Sequence, residues 1–189
     1  RAVRWRAVPA PSPLLAAAGP RSVREAMVGD RIRVLFVCLR NICRSPLAAA
    51  VFRGLVRSAG LESRFEVDSA GTSDWHEGEP PDARAVAVAR RRGVELAGRA
   101  RQITRQDLER FDYVVVMDAQ NLADVKRLAE EVRPGAEVHL LREFDPVAGG
   151  ELEVPDPYFG GRRGFEEVHD IIERSCRGLL EHIRSERAV

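Results

Sequence analysis

The segment Cys38-Leu39-Arg40-Asn41-Ile42-Cys43-Arg44-Ser45-Pro46 carries the side chains of this chain best suited to chemistry. It follows the apolar run Val34-Leu35-Phe36-Val37. It leads into Ser45-Pro46, a pair that suits a helix start with Ser as N-cap and Pro as first helical residue. A loop so placed turns its amides outward at a helix N-terminus, where partial positive charge collects. A thiol there, with an Arg after a short interval, is favoured in its anionic, nucleophilic form. Thiolate, guanidinium and a fan of amides together make a site for a tetrahedral oxyanion such as phosphate. The spacing of Cys38 and Arg44 alone is a weak signal, and the strand before and the helix start after give it weight. Two other readings compete for the cysteines. Cys38 as a small buried residue at a strand end is the common fate of a cysteine. A zinc site on Cys38 and Cys43 lacks a second ligand pair at metal spacing.

The elements that would position this loop follow from apolar pattern. Short apolar runs predict strands over residues 31–38, 65–69, 113–117 and 137–141. Helical stretches are expected at 46–58, 81–92, 104–111 and 119–132. A long last helix, from about 164 to 184, aligns Phe165, Val168, Ile171 or Ile172, Leu179 and Ile183 on one side. Strands alternating with helices predict a parallel α/β sheet covered on both faces, with ligands beyond the carboxyl ends of the strands. The loops after Val37, Ser69 and Met117 then meet at the site.

Composition narrows the class. At 189 residues, 44% hydrophobic and 31% charged, the chain suits one compact domain. A net charge of +1 excludes a nucleic-acid binder that works by bulk charge, and no apolar run approaches the about 18 residues a membrane helix needs. Three cysteines fit a reducing compartment, and a cytoplasmic chain is expected. Residues 1–26 differ from the rest, with five Arg, one Glu and prolines at 9, 11, 13 and 20. That composition suits a transit peptide, a disordered tail or sequence upstream of the true start, since the first methionine is Met27. A disordered extension over 1–30 and one domain over 31–189 are expected.

The loop resembles the signature of the low-molecular-weight protein tyrosine phosphatases. The likeness continues through Asp68-Ser69-Ala70-Gly71-Thr72, Ala100-Arg101-Gln102-Ile103-Thr104, Phe111-Asp112-Tyr113 and Met117-Asp118 to Asp156-Pro157-Tyr158. It covers about residues 31–184, and its several motifs stand in the family's order. The resemblance implies a four-stranded parallel sheet with helices on both faces and a phosphate-binding loop after the first strand. It implies Cys38 as nucleophile, forming a cysteinyl-phosphate that water hydrolyses. Arg44 and the backbone of Leu39, Arg40, Asn41, Ile42 and Cys43 would hold the phosphoryl oxygens. Ser45 would donate to the thiolate, Asn41 and Ser69 would brace the loop, and Asp156 would be the general acid and then base. No metal or cofactor enters such chemistry, and the partner would be a phosphotyrosine-containing protein.

Some assignments rest on the residues as well. Asp156, between two prolines, reads without the resemblance as part of a mobile loop. Asp118 at a strand's carboxyl end reads as a helix N-cap. Trp75, Tyr158 and Phe159 are expected to wall a cleft for an aryl ring, with core packing as the alternative. None of the four histidines has ligand spacing. In the family, the cysteine equivalent to Cys43 can trap an oxidised nucleophile as a disulfide; a small filler is the other reading. Cys176 reads as core.

The chain departs from the family pattern at two positions. Arg40 stands where Gly is usual, and Gly98 where many relatives carry a His in the network bracing the loop. Four readings remain: a phosphotyrosine phosphatase; a phosphoarginine phosphatase, whose loops carry Thr in place of Ile42; a thioredoxin-coupled arsenate reductase, which needs further paired cysteines absent here; and a phospho-binding or redox-sensing relative impaired at Arg40. The first is preferred. Sequence leaves the oligomeric state open.

Overall fold

The structure is a computed structural model that describes residues 31–130 and 135–189. The expected extension over 1–30, and the end of the helix expected to reach residue 132, lie outside the described residues.

Four strands form one sheet: β1 (Ile32–Cys38), β2 (Phe65–Gly71), β3 (Tyr113–Val116) and β4 (Glu137–Leu140). All pairings are parallel and the spatial order is β2-β1-β3-β4. The helices are α1 (Arg44–Ser58), α2 (Ala83–Arg91), α3 (Arg105–Arg110), α4 (Ala119–Ala129) and α5 (Arg162–Arg187). The sequence places every one of these elements, with ends shifted by a few residues.

β1 is central, and its alternate side chains feed two apolar layers. Val34 and Phe36 join Tyr113 and Val115 under residues of α1, α2 and α5, among them Phe52, Val88, Phe165 and Leu179. Leu35 and Val37 join Val114 and Val116 under Leu108 of α3 and Val125 of α4. Both sheet faces are therefore dry, which is why the strands read as continuous apolar runs. In α5 the predicted side is buried, and Gly178 serves a close approach: a Cβ there would run into the carbonyl oxygen of Phe144. A helix-interior Gly costs about 1 kcal/mol against Ala, and here no larger residue fits.

The chain runs from β1 outward to β2 and returns past β1 to β3, so the order reverses at the carboxyl end of β1. That reversal opens the crevice in which α/β sheets bind ligands, and it falls at Cys38.

Candidate active site

The loop leaving β1 turns through Asn41 at φ +54°, a left-handed conformation that Asn tolerates better than most residues. This turn brings the loop back over Cys38, and the Asn41 amide donates to the Cys38 sulfur at 3.3 Å. The loop's carbonyls are tied outward. Those of Cys38 and Leu39 accept from the amides of Thr72 and Ser73 at 2.8 and 2.9 Å, and that of Ile42 accepts from the Asp82 amide at 2.8 Å. The Ser73 hydroxyl donates to the same Leu39 carbonyl at 2.9 Å. Among the described residues, no acceptor takes the amides of Leu39, Arg40, Ile42 or Cys43. Outward carbonyls and unspent amides make an anion cradle.

Ser45 differs from its expected capping role. α1 begins two residues earlier, at Arg44, with Cys43 at the N-cap and no side-chain cap. The Ser45 hydroxyl is needed elsewhere. It lies 3.0 Å from the Cys38 sulfur and accepts from Asn41 Nδ2 at 2.9 Å. It also reaches the carbonyl of Ala70 at 3.2 Å. A hydroxyl has one proton, so it donates to Ala70 or to the sulfur, and a sulfur carrying negative charge draws that proton.

Support for the loop comes from further along the chain. Asn41 Oδ1 accepts from the Arg101 amide at 3.1 Å, closing this side of the network with backbone. Arg101 is itself pinned, donating to Asp68 at 2.9 Å and to Asp107 at 2.9 and 3.0 Å. Burial opposes its charge, but these carboxylates outweigh it and hold the guanidinium above its ordinary range. Ser69, expected to brace the loop by its hydroxyl, makes no such bond among the described residues; β2 serves instead through the Ala70 carbonyl and Gly71. A Cβ on Gly71 would lie 2.9 Å from the Leu39 oxygen and 3.2 Å from the Asn41 nitrogen, so the loop rests directly on the end of β2. Gly98 adopts φ +115°, a conformation reserved for glycine.

Arg44 is 3% exposed. One of its terminal nitrogens donates to Asp118 at 2.6 Å and to the Val154 carbonyl at 3.0 Å. Burial works against its charge, yet the neighbouring Cys38, Asp118 and Asp156 prevail and raise its pKa. Asp118 caps α4 as expected, accepting from the Asn121 amide at 2.7 Å. Its second oxygen tethers Arg44, a role the sequence did not reveal.

Asp156 comes to the loop from more than a hundred residues away. Its Oδ2 lies 3.5 Å from both Arg40 and Arg44, and Oδ1 accepts from the Tyr158 amide at 3.0 Å. The segment behind it is fastened rather than loose. The Val154 amide donates to Met117 O at 2.8 Å, and Arg142 donates to Glu153 O at 2.9 Å. The Glu153 carboxylate takes the first amide of α4, at Ala119, at 3.0 Å.

The three expected cleft aromatics do converge, but around Arg40. Its guanidinium carbon is 4.5 Å from the Tyr158 ring centre, 5.6 Å from Phe159 and 5.8 Å from Trp75. Cys38, Arg40, Ile42, Cys43, Arg44, Asp156 and Tyr158 surround a cavity of about 10 Å³, room for about one water. Burial, with Asp82 and Cys38 adding, pushes the Cys43 thiol up to about 12. Cys176, fully buried in α5, points at the Ala48 carbonyl of α1, away from the loop.

Comparison with known proteins agrees with this geometry. The family model described as low molecular weight phosphotyrosine protein phosphatase matches residues 33–189. A low molecular weight protein-tyrosine-phosphatase of Streptomyces coelicolor is 52% identical over 155 residues, 82% of this chain and 94% of that one. The crystal structure of YfkJ from Bacillus subtilis superposes with a TM-score of 0.76 at 41% identity, covering 84% of this chain and 98% of that one. DARP, a drosophila arginine phosphatase, superposes at 0.76 with 34% identity, covering 80% and 97%. With loop, cradle and carboxylates in place and the match spanning residues 33–189, the chain belongs to the low molecular weight phosphotyrosine protein phosphatases.

Proposed function

We propose that the protein hydrolyses phosphotyrosine in proteins by a two-step displacement at Cys38. The observation that carries this is the Cys38 sulfur beneath unspent loop amides, with Arg44 and Asp156 on the same small cavity. In the first step the Cys38 sulfur forms a bond to phosphorus as the bond to the phenolic oxygen breaks, and Asp156 delivers a proton to that oxygen. The amides and Arg44 hold the equatorial oxygens as charge redistributes. In the second step Asp156 takes a proton from water, whose oxygen attacks phosphorus and releases Cys38. Asn41 and Ser45 act through the loop and the sulfur; Trp75, Tyr158 and Phe159 supply apolar walls for an aryl group.

The structural likeness to an arginine phosphatase keeps a phosphoarginine substrate as the second reading. Two features favour tyrosine: Ile42 lines the cavity with an apolar side chain, and Arg40 at its mouth repels a cationic guanidinium leaving group. An arsenate reductase relay finds no support, because Cys176 lies buried and turned away. A nucleophile that must stay a free thiol suits a cytoplasmic setting.

The test is hydrolysis of 4-nitrophenyl phosphate and of a phosphotyrosine peptide across roughly pH 5–8, beside Cys38→Ser. Turnover lost in Cys38→Ser supports the reading. A folded wild-type protein that binds phosphate without turnover would refute it in favour of a phospho-binding relative, and Arg40→Gly would then show whether Arg40 is the cause.

A further inference from the structure

Arg40 is the one site arginine without a carboxylate of its own. Arg44 has Asp118 at 2.6 Å, Arg84 has Asp82 at 2.8 Å, and Arg101 has Asp68 and Asp107 at 2.9 Å. The only carboxylate that meets Arg40 among the described residues is Asp156, at 3.5 Å, and Arg44 shares that same oxygen. In the proposed reaction Asp156 is occupied with the leaving group, and for part of the cycle it is protonated. Arg40 then loses its carboxylate partner while Asp156 serves the leaving group.

Its place in the cleft fits a reader of the substrate's surroundings. The side chain belongs to the phosphate loop, yet its guanidinium stands at the rim, among Trp75, Tyr158 and Phe159. Two of these rings lie outside the core, Trp75 at 68% and Phe159 at 85% exposure. The Arg40 side chain itself is 15% exposed. Ring faces attract a guanidinium and strip part of its hydration, so its charge is both fixed in position and screened less than on open surface. A phosphotyrosine whose phosphate reached Cys38 would enter past this rim, which would bring the residues beside it near the guanidinium.

We propose that Arg40 is a specificity-determining residue that favours phosphotyrosine flanked by acidic residues and disfavours basic flanks. This rests on the phosphotyrosine-phosphatase reading above. Charge placed at a rim in this way acts mainly by selecting partners.

The experiment compares kcat/KM on two phosphotyrosine peptides of equal length, one with Glu and one with Lys on either side of the phosphotyrosine. The proteins are wild type, Arg40→Gln, Arg40→Glu and Arg84→Gln. Because the readout is the acidic-to-basic ratio within each protein, a general loss of activity cancels. A wild-type ratio of about tenfold is expected, shrinking with added salt. Arg40→Gln should bring it near one and Arg40→Glu should invert it. Arg84→Gln, which alters a guanidinium 5.4 Å from the same Tyr158 ring but paired to Asp82, should leave it in place. A wild-type ratio near one, or one unchanged by Arg40→Gln, overturns this inference while the phosphatase reading stands. Turnover of neither peptide by folded wild type overturns both.

Discussion

Replacing Asp118 by Asn separates the two duties of this carboxylate. Asn caps helices as well as Asp does, so the α4 N-terminus keeps its cap. The tether suffers, because an amide has one oxygen where a carboxylate has two. It can face either the Asn121 amide or Arg44, and its NH2 then meets a donor on the other side. Arg44 and Asp118 have side-chain exposures of 4% and 20%. A hydrogen bond to a charged group is worth about 1.5–3 kcal/mol, and breaking a fully buried pair costs about 3–5 kcal/mol. Asp118 is partly wetted and Arg44 keeps the Val154 carbonyl, so about 2 kcal/mol of stability should be lost. For a domain of this size that lowers Tm by roughly 4–8 °C. If Arg44 holds the phosphoryl oxygens as proposed, a guanidinium released on one edge misplaces the nitrogens that do so, and kcat/KM for 4-nitrophenyl phosphate should fall about 10- to 100-fold. Asp118→Ser keeps a capping oxygen but cannot reach Arg44, and it should be at least as slow as Asn. Thermal melting and steady-state kinetics on the three proteins give both numbers. If Asn lowers Tm yet leaves kcat/KM within about twofold of wild type, Asp118 is a cap alone and the tether reasoning is wrong.

Gly71→Ala puts a methyl 2.9 Å from the Leu39 oxygen. The loop must give by several tenths of an ångström, so kcat/KM should drop by at least about tenfold, with about 1–3 kcal/mol of overpacking strain visible as a lower Tm; unaltered kinetics would show that β2 yields instead. Peroxide-inactivated wild type should recover with a thiol reductant, whereas Cys43→Ala should not. This would show that the oxidised Cys38 condenses with the Cys43 thiol, releasing water. Since the Cys43 thiol is pushed up to about 12 by burial, trapping should be slow near neutrality and faster as pH rises; equal recovery of both proteins would assign Cys43 to packing. His169 is buried with neither ring nitrogen hydrogen-bonded. Burial, then the charge of Arg92, lowers its pKa, with Glu173 and Asp170 opposing. The unfolded chain therefore binds the proton first as pH falls below the ordinary value of 6.5. Stability should be lost on acidification and be unaffected by this group at alkaline pH. His169→Gln should flatten that part of the Tm–pH curve; a slope identical to wild type would rule the histidine out.

How legible the molecule was depended on the range of the interactions involved. The strands announced themselves because both sheet faces are covered, so runs such as Val34-Leu35-Phe36-Val37 must be apolar throughout. The loop from Cys38 to Arg44 was legible because its strand, turn and helix start are consecutive. Ser45 was read as a cap from its type and its Pro neighbour. That local preference lost to a buried sulfur and the Asn41 amide group, which claim the hydroxyl. Ser69 was named for bracing, and the backbone of its neighbours Ala70 and Gly71 does that work. Trp75, Tyr158 and Phe159 were expected to wall a cleft; the structure brings them together around the Arg40 guanidinium, whose departure from Gly the sequence had already marked.

By itself, then, the sequence determined the parallel α/β scaffold and the loop that sets Cys38 and Arg44 between the first strand and the first helix, since each is written in neighbouring residues. Tertiary structure alone decided that Asp118 fastens Arg44, that Gly71 seats the loop, and that Arg40 faces both Asp156 and three aromatic rings. These are contacts between segments some thirty to over a hundred residues apart. No local propensity encodes them, because their free energy appears only when the packed sheet brings the separate loops to one edge.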